Sequence, residues 1–174
     1  MKRLKVVVAS LIALSAPLAA KEKPPTISFD PYRKTGTITG ESHWHNALLD
    51  LDKSQWFFQL AIVDGVPHNP VLMYSTDTTE WFFFNHAADV DGHEFKVIEG
   101  PRDVYAGNSV HELVGIEMTA EYVRQHRLTG MNIKVMGQRG DKVLQIPAEA
   151  VSTFADGAIS IFRNLAASSE TKAH

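Results

Sequence analysis

The chain has 174 residues, of which 44% are hydrophobic and 21% are charged, so it can build one core but is short for two domains. Its formal net charge of −3 argues against a nucleic-acid partner, because phosphate backbones select basic surfaces. The absence of cysteine excludes disulfides, thiolate nucleophiles, cysteine-based metal sites and a lipid anchor on an N-terminal cysteine.

Residues 1–20 have the order of a secretory signal peptide. Basic residues at the start are followed by an uncharged run, by Pro17, and by the small residues Ala19 and Ala20. The run is shorter than the ~20 residues that span a bilayer. We therefore predict cleavage near Ala20 and a soluble periplasmic or secreted product, with an N-terminal membrane anchor or a buried helix as the alternatives. No later run is long enough to span a membrane, so the mature chain is predicted to have no membrane span.

Residues 21–25, "KEKPP", are typical of an extended leader because proline fits neither a ladder nor a helix interior. The chain then passes through short runs with the period of two that is typical of strands. These runs are "KTGTITG", "NALLDLD", "SQWFFQLAIVDG", "PVLMYS", "EWFFFNH", "HEFKVI" and "SVHELVGIEM". The dipeptide Asp64–Gly65 marks a turn between two of them.

The period changes after Met118. Thr119 is a plausible N-cap, Met118 and Val123 sit at the positions of a hydrophobic staple, and Gly130 follows as a stop signal, which predicts a helix of about three turns. Residues 131–147 form a predicted hairpin. Pro147 then fits the first turn of a last helix, which Gly157 is expected to kink or divide.

The predicted organisation is a single β-rich domain over residues 26–167 and a flexible tail over residues 168–174. Because strands do not alternate with helices, the sequence predicts a mainly β fold, an antiparallel β-sandwich or small barrel. One short inserted helix and one C-terminal helix are expected to cover an edge or an open end.

The stretch "WFFFNHAADVDGHEFKV", residues 81–97, combines four aromatic residues with histidines and acids. Four consecutive rings on a strand point to both faces, which predicts a central strand. The acids and histidines that follow suggest either a cation site or the polar tip of a hairpin. Calcium needs six to eight oxygens, and the EF-hand spacing is missing, so the hairpin tip is favoured.

His43 and His45, in "SHWHN", would project from the same face of a strand and could share zinc or copper. A third ligand could come from His68, His86, His93 or His111. The alternative is a pair of surface histidines that flank a buried Trp44. No cofactor is expected unless this pair binds a metal.

"HNP", residues 68–70, and "GPRDVYAGN", residues 100–108, are predicted loops, and Arg102, Asp103 and Tyr105 are the candidate binding residues there. The competing interpretation is polar loop filler. Ser109 precedes His111 by two residues, but the nucleophile elbow is missing. The chain also has no Gly-rich phosphate loop, HExxH or dinucleotide fingerprint, so no catalytic residue is assigned.

Residues 110–154, "VHELVGIEMTAEYVRQHRLTGMNIKVMGQRGDKVLQIPAEAVSTF", resemble the C-terminal half of invasion-associated locus B proteins. The shared order is strand, short helix, "TGMNIKV" strand, "GQRGDKVLQIP" return and "VSTF" at the start of a helix. The resemblance implies a small exported bacterial protein with a β-sandwich fold, of a family linked to host-cell entry in some pathogens. Most of that family carries cysteines, which this chain lacks, and the resemblance assigns no functional residue.

The sequence thus favours an exported, non-catalytic binding or envelope-associated protein, with a protein or envelope component as its partner. The alternatives are a metal-binding protein or metal-dependent enzyme centred on His43 and His45, and a hydrolase that needs no cofactor.

Overall fold

The computed structural model describes residues 21–46, 53–105 and 109–170. Within these ranges the chain forms ten strands and two helices. They are β1 (Thr26–Asp30), β2 (Thr35–Thr39), β3 (His43–Asn46), β4 (Lys53–Val63), β5 (Val66–Thr78), β6 (Phe84–Asp89), β7 (Glu94–Tyr105), β8 (Ser109–Glu117), α1 (Ala120–Gln125), β9 (Met131–Gly137), β10 (Gly140–Ile146) and α2 (Ala148–Glu170). The predicted signal peptide lies outside the described residues.

All the strand pairs are antiparallel, and the strands form one curled sheet in the order β1-β2-β4-β5-β8-β7-β6-β9-β10. β3 pairs with β4 on the same edge as β2, farther along the strand. β7 links the strands β1–β5 and β8 to the strands β6, β9 and β10. Its first residues, Glu94 and Phe95, pair with β6, and its residues from Lys96 onward pair with β8. The mainly β, antiparallel fold with one short inserted helix and a C-terminal helix is therefore confirmed.

The interior of the curl is filled by every second residue of the long strands. On β4 these residues are Trp56, Phe58, Leu60 and Ile62. Helix α2 covers this interior with a buried stripe at helical spacing, Val151, Phe154 and Ala158. The Phe154 ring stacks on the Phe58 ring with 4.9 Å between centroids. The core therefore lies between the concave side of the sheet and α2.

Helix α2 is continuous from Ala148 to Glu170, so the prediction that Gly157 divides it is wrong. A Cβ atom at Gly157 would lie 2.3 Å from ring atoms of Pro25. The glycine therefore allows the leader to cross α2 closely. The helix also continues past the boundary predicted at residue 167.

The predicted N-cap and stop signal of α1 and the predicted turn between β4 and β5 are confirmed. The Thr119 side chain accepts a hydrogen bond from the backbone N–H of Tyr122 at 3.1 Å, as an N-cap does. Gly130 has a φ of 75°, which favours glycine after a helix. Asp64 and Gly65 both have positive φ and join β4 to β5 as a two-residue turn. Helix α1 is shorter than predicted, with six residues.

The aromatic run at residues 81–84 is not a continuous strand, which corrects the prediction. β6 begins only at Phe84, and Phe83 has a φ of 54°, which is unusual for a bulky residue. The cause is Glu112 on β8, which is only 2% exposed. Its carboxylate accepts hydrogen bonds from the backbone N–H groups of Phe82, Phe83 and Phe84 at 3.1, 3.0 and 2.9 Å.

Arg102 completes this buried charge cluster. Its Nε donates to Glu112 Oε1 at 3.3 Å, and its guanidinium lies 5.4 Å from the centre of the Phe83 ring. Buried charges are tolerated when they are paired and hydrogen-bonded, and Glu112 meets both conditions. The cluster ties β8 and β7 to the turn that precedes β6.

No helix among the described residues is both long enough and apolar enough to cross a membrane.

We predict that Glu112→Ala lowers the free energy of unfolding by about 3 kcal/mol or more, because it leaves three buried backbone N–H groups without their acceptor and removes one of the two carboxylate partners of Arg102. Glu117→Ala is the matched control on the same strand. Glu117 is held by Lys96 at 2.8 Å near the surface, so its loss should cost about 1 kcal/mol or less. Urea denaturation measures both values, and equal losses would contradict the role assigned to Glu112.

Candidate functional site

A cavity of about 360 Å³ opens between the concave side of β3, β4 and β5 and the edge strand β10. Its volume falls within the range of about 300–1,000 Å³ that is typical of small-molecule pockets. The lining residues come from four strands. They are His45, Lys53, Ser54, Trp56, Tyr74, Thr76, Thr78 and Lys142–Gln145.

The strand geometry explains why these residues meet. Tyr74, Thr76 and Thr78 alternate along β5 and therefore face the same side. β10 is the last strand of the sheet order and pairs only with β9 among the described strands. Four consecutive residues of β10 line the cavity, so the strand contributes its edge as well as one face. The cavity lies where the curled sheet stays open.

Thr76 is the most informative residue in the lining. It is 2% exposed, and its Oγ1 has no hydrogen-bond partner among the residues that the structure describes. The neighbouring Thr78 hydroxyl, by contrast, donates to the Glu80 carbonyl at 2.7 Å. A buried hydroxyl without a partner costs about 1–3 kcal/mol. Thr76 therefore places beside the cavity a buried polar atom whose hydrogen bond is not made by the described residues.

The charged residues of the lining are all basic or potentially basic. Among the described residues they are His45, Lys53 and Lys142, and none of the described lining residues is an aspartate or a glutamate. Lys142 is half-buried, and its Nζ lies 4.8 Å from the centre of the Phe82 ring. The chain as a whole has more acidic than basic residues, so this lining differs in sign from the protein around it.

The predicted metal ligands His43 and His45 have different surroundings in the structure. His45 lines the cavity, whereas the His43 ring stacks on Trp56 with centroids 3.9 Å apart. His43 Nε2 lies 3.3 Å from the Glu22 carboxylate. Burial raises the pKa of Glu22 above its ordinary value. The attraction of His43 acts to lower this pKa, and the repulsion of Glu41 and Glu149 acts to raise it.

The candidate third ligands have other partners or positions. His86 Nε2 is 3.3 Å from Glu94, His111 Nδ1 is 2.6 Å from Asp77, and His93 stacks against Tyr122. His68 lies exposed on β5. The described part of the chain holds no group of three or more His, Cys, Asp or Glu residues placed to bind a metal. Trp44 is 61% exposed, so its predicted burial is wrong.

Two predicted loops are strands. Residues 68–70 lie in β5 and residues 100–105 lie in β7. Arg102 forms ion pairs with Glu112 at 3.3 Å and with Glu99 at 3.1 Å. Asp103 and Tyr105 are exposed on β7, away from the cavity lining, with the Tyr105 ring edge-on to His111 at 5.8 Å.

Ser109 and His111 have different hydrogen-bond partners. The Ser109 hydroxyl donates to the Thr78 carbonyl at 3.5 Å, and His111 is hydrogen-bonded to Asp77. This arrangement does not activate the serine, because a nucleophile needs its base within hydrogen-bond reach.

Residues 89–93 form a hairpin tip. Asp89 Oδ1 accepts from the N–H groups of Asp91 and His93 at 2.9 and 2.8 Å, and Oδ2 accepts from the Tyr122 hydroxyl at 2.9 Å. Burial acts to raise the pKa of Asp89, but hydrogen bonds from His93, Tyr122 and Asp91 outweigh it, so the pKa lies below its ordinary value. The carboxylate oxygens are used by the turn and by α1, which supports the hairpin interpretation of this stretch.

No protein-family model matches the chain, and searches of curated proteins and of solved structures find no significant match. The resemblance to the invasion-associated locus B proteins therefore stays a prediction from the pattern of residues 110–154. The case for a function rests on the geometry of the cavity.

The sequence contained a signal for this cavity that motif analysis missed. Thr76 and Thr78 continue the same alternating face as the buried Leu72 and Tyr74. Two hydroxyl residues at the end of an apolar face indicate a polar end to the interior. The part played by Lys142 could not be read in this way, because it depends on how β10 meets β5.

We predict that Asp89→Asn lowers the free energy of unfolding near neutral pH by about 1 kcal/mol, a modest value because the carboxylate is only partly buried. The lowered pKa means that this contribution is fully present above the unfolded pKa of about 4 and is lost as pH falls further. Urea denaturation over a pH series measures the gap between wild type and variant. Asp91→Asn is the control, and a gap that persists at low pH would contradict the assignment.

We expect protein purified without a metal-affinity column to contain zinc or copper well below one equivalent, because His43 is engaged by Trp56 and Glu22. Elemental analysis measures the metal content. Stoichiometric metal that disappears in His43→Ala would contradict this expectation and restore the metal-binding alternative.

Proposed function

We propose that this protein is an exported, non-catalytic binding protein whose cavity at the open edge of the sheet holds a small organic molecule. The observation that carries the proposal is a ligand-sized cavity whose wall includes Thr76, a buried residue whose hydroxyl has no partner among the described residues. Small-molecule sites combine apolar walls with a few polar groups, and this lining fits that description.

The wall divides into two kinds of surface. Trp56, Tyr74 and Leu144 supply buried rings and an aliphatic side chain. Ser54 and Thr76 supply hydroxyl groups beside them. Such a lining can hold a ligand by burial of apolar area and orient it by hydrogen bonds. It has none of the paired carboxylates or activated nucleophiles that hydrolysis would need.

Export is supported by residues 1–20, whose basic start, uncharged run and small residues at Ala19 and Ala20 are those of a signal peptide. The absence of cysteine suits an oxidising compartment. A role in the periplasm or outside the cell agrees with a carrier or sensor of small molecules.

A contact with a protein or envelope component is the second candidate. Tyr105 is 53% exposed on β7 and shares a face of the strand with the exposed Asp103, two residues earlier. Exposed apolar residues beside charged ones favour a contact surface. Tyr105→Ala should weaken capture by an envelope fraction and leave small-molecule binding intact, and unchanged capture would contradict this surface.

We predict that Ser54→Phe, which fills the cavity, abolishes or weakens ligand retention at least about tenfold, or ~1.4 kcal/mol. Gln55→Phe is the matched control, because successive residues of a strand face opposite sides and Gln55 does not line the cavity. Native mass spectrometry of protein prepared from the exported fraction measures retained compounds, and a thermal-shift screen measures response to a compound library.

The expected result is that wild type and Gln55→Phe retain or respond to the same compounds and Ser54→Phe does not. If wild type and both variants retain the same compounds, or none of them retains or responds to any compound, the proposal that the cavity is the functional site is rejected.

A further inference from the structure

The leader, residues 21–25, is held to the domain by polar contacts close to the predicted cleavage position. The backbone N–H and the ammonium of Lys23 donate to the Glu41 carboxylate at 2.7 and 2.8 Å. The carboxylate of Glu22 lies 3.3 Å from the ring nitrogen Nε2 of His43. These contacts fix the chain within three residues of the position at which the signal peptide would be removed.

A third carboxylate, that of Glu149, faces the leader from the first turn of α2. The backbone N–H of Glu22 donates to Glu149 Oε1 at 3.5 Å. Lys23 pairs with Glu41 and His43 pairs with Glu22, whereas Glu149 has no basic side chain as a partner among the residues that the structure describes. The three carboxylates around the leader therefore lack one positive charge.

We propose that removal of the signal peptide supplies this charge and so latches the leader to the domain. Cleavage after Ala20 converts the backbone nitrogen of Lys21 from a neutral amide into an α-ammonium group, because free α-amines are protonated below about pH 8. This inference rests on the export that the proposed function includes, and it adds what processing does to the fold.

The chain geometry places the new charge near Glu149. Consecutive Cα atoms are ~3.8 Å apart, so the nitrogen of Lys21 lies within about 4 Å of the nitrogen of Glu22. Because the Glu22 nitrogen is 3.5 Å from Glu149 Oε1, the new ammonium and this oxygen are at most about 8 Å apart. The screening length at physiological salt is also about 8 Å, so the attraction is not screened out.

The other charges near the leader do not replace the α-ammonium. The side chain of Lys21 is the same before and after cleavage. The start of α2 carries a partial positive charge of about half a unit, which is smaller than the charge of the three carboxylates. The uncleaved chain has an uncharged amide at this nitrogen. The mature chain is therefore expected to hold the leader more firmly, so that processing strengthens the fold after export.

The test compares two forms of the chain. The mature form begins at Lys21, and the extended form keeps Ala19 and Ala20, which moves the terminal charge two residues outward. Amide hydrogen exchange followed by NMR measures the protection of the Lys23 N–H, relative to an unstructured peptide of each sequence. We expect protection about threefold higher in the mature form, the order of effect of one exposed ion pair.

Glu149→Gln should remove this advantage, because glutamine keeps an acceptor for the Glu22 N–H and removes the charge. We expect it to lower the protection of Lys23 about threefold in the mature form and to leave the extended form nearly unchanged. Asp156→Asn is the matched control on the same helix. Asp156 pairs with Arg127 at 2.9 Å, so its loss should not change the protection of the leader in either form.

Sequencing the N-terminus of protein recovered from the exported fraction should identify Lys21 as the first residue. Equal protection of Lys23 in the two forms would overturn the latch, and so would an equal effect of Glu149→Gln on both. A different first residue would reject the latch and leave the cavity to the retention test with Ser54→Phe. Absence of the protein from the exported fraction would reject both the latch and the export in the proposed function.

Discussion

The buried carboxylate of Glu112 is the interaction on which the shape of this protein depends. It accepts three consecutive backbone N–H groups, from Phe82 to Phe84, and pairs with Arg102. The three donors can converge on one carboxylate only if the chain turns sharply, and Phe83 adopts a φ of 54° to do so. The strain of that conformation, of order 1–3 kcal/mol, is offset by hydrogen bonds to a charged acceptor.

This interaction sets the position of β6 relative to β8. β9 and β10 are attached to the sheet through β6, so the placement of β6 determines where the edge of β10 lies. Thr76 is the direct neighbour of Glu112 in the pairing of β5 with β8. Glu112, which positions β6, and Thr76, which carries the buried hydroxyl beside the cavity, are therefore directly opposite each other on neighbouring strands.

The sheet remains open because its two ends do not pair. Among the described strands, β10 pairs with β9 alone, and the pairing path ends at β1 on the other side. A closed barrel would remove both edges. Here α2 covers the interior of the curl and Phe154 packs on Phe58, while the gap beside β10 is left as a cavity. The cavity is thus a consequence of incomplete closure.

The sequence predicted the features that depend on neighbouring residues. The N-cap at Thr119, the two-residue turn at Asp64–Gly65 and the hairpin of β9 and β10 depend on local chemistry, and all three are present. The turn at Phe83 could not be predicted, because its cause lies about thirty residues away on β8. Likewise, the spacing of His43 and His45 suggested a shared ion, but the packing of His43 on Trp56 depends on strand register.

The choice between water and a ligand as the natural occupant depends on what each does for the lining. Water can satisfy the Thr76 hydroxyl, and an ordered water costs up to about 2 kcal/mol of entropy. Water gains nothing, however, against Trp56, Tyr74 and Leu144, whose apolar surfaces favour an apolar neighbour. A small molecule with an apolar body would cover these walls, which water does not. A valine at position 76 would fill the same space with no hydrogen bond left unmade, so the hydroxyl adds to this end of the interior a polar group that only water or a bound molecule would satisfy.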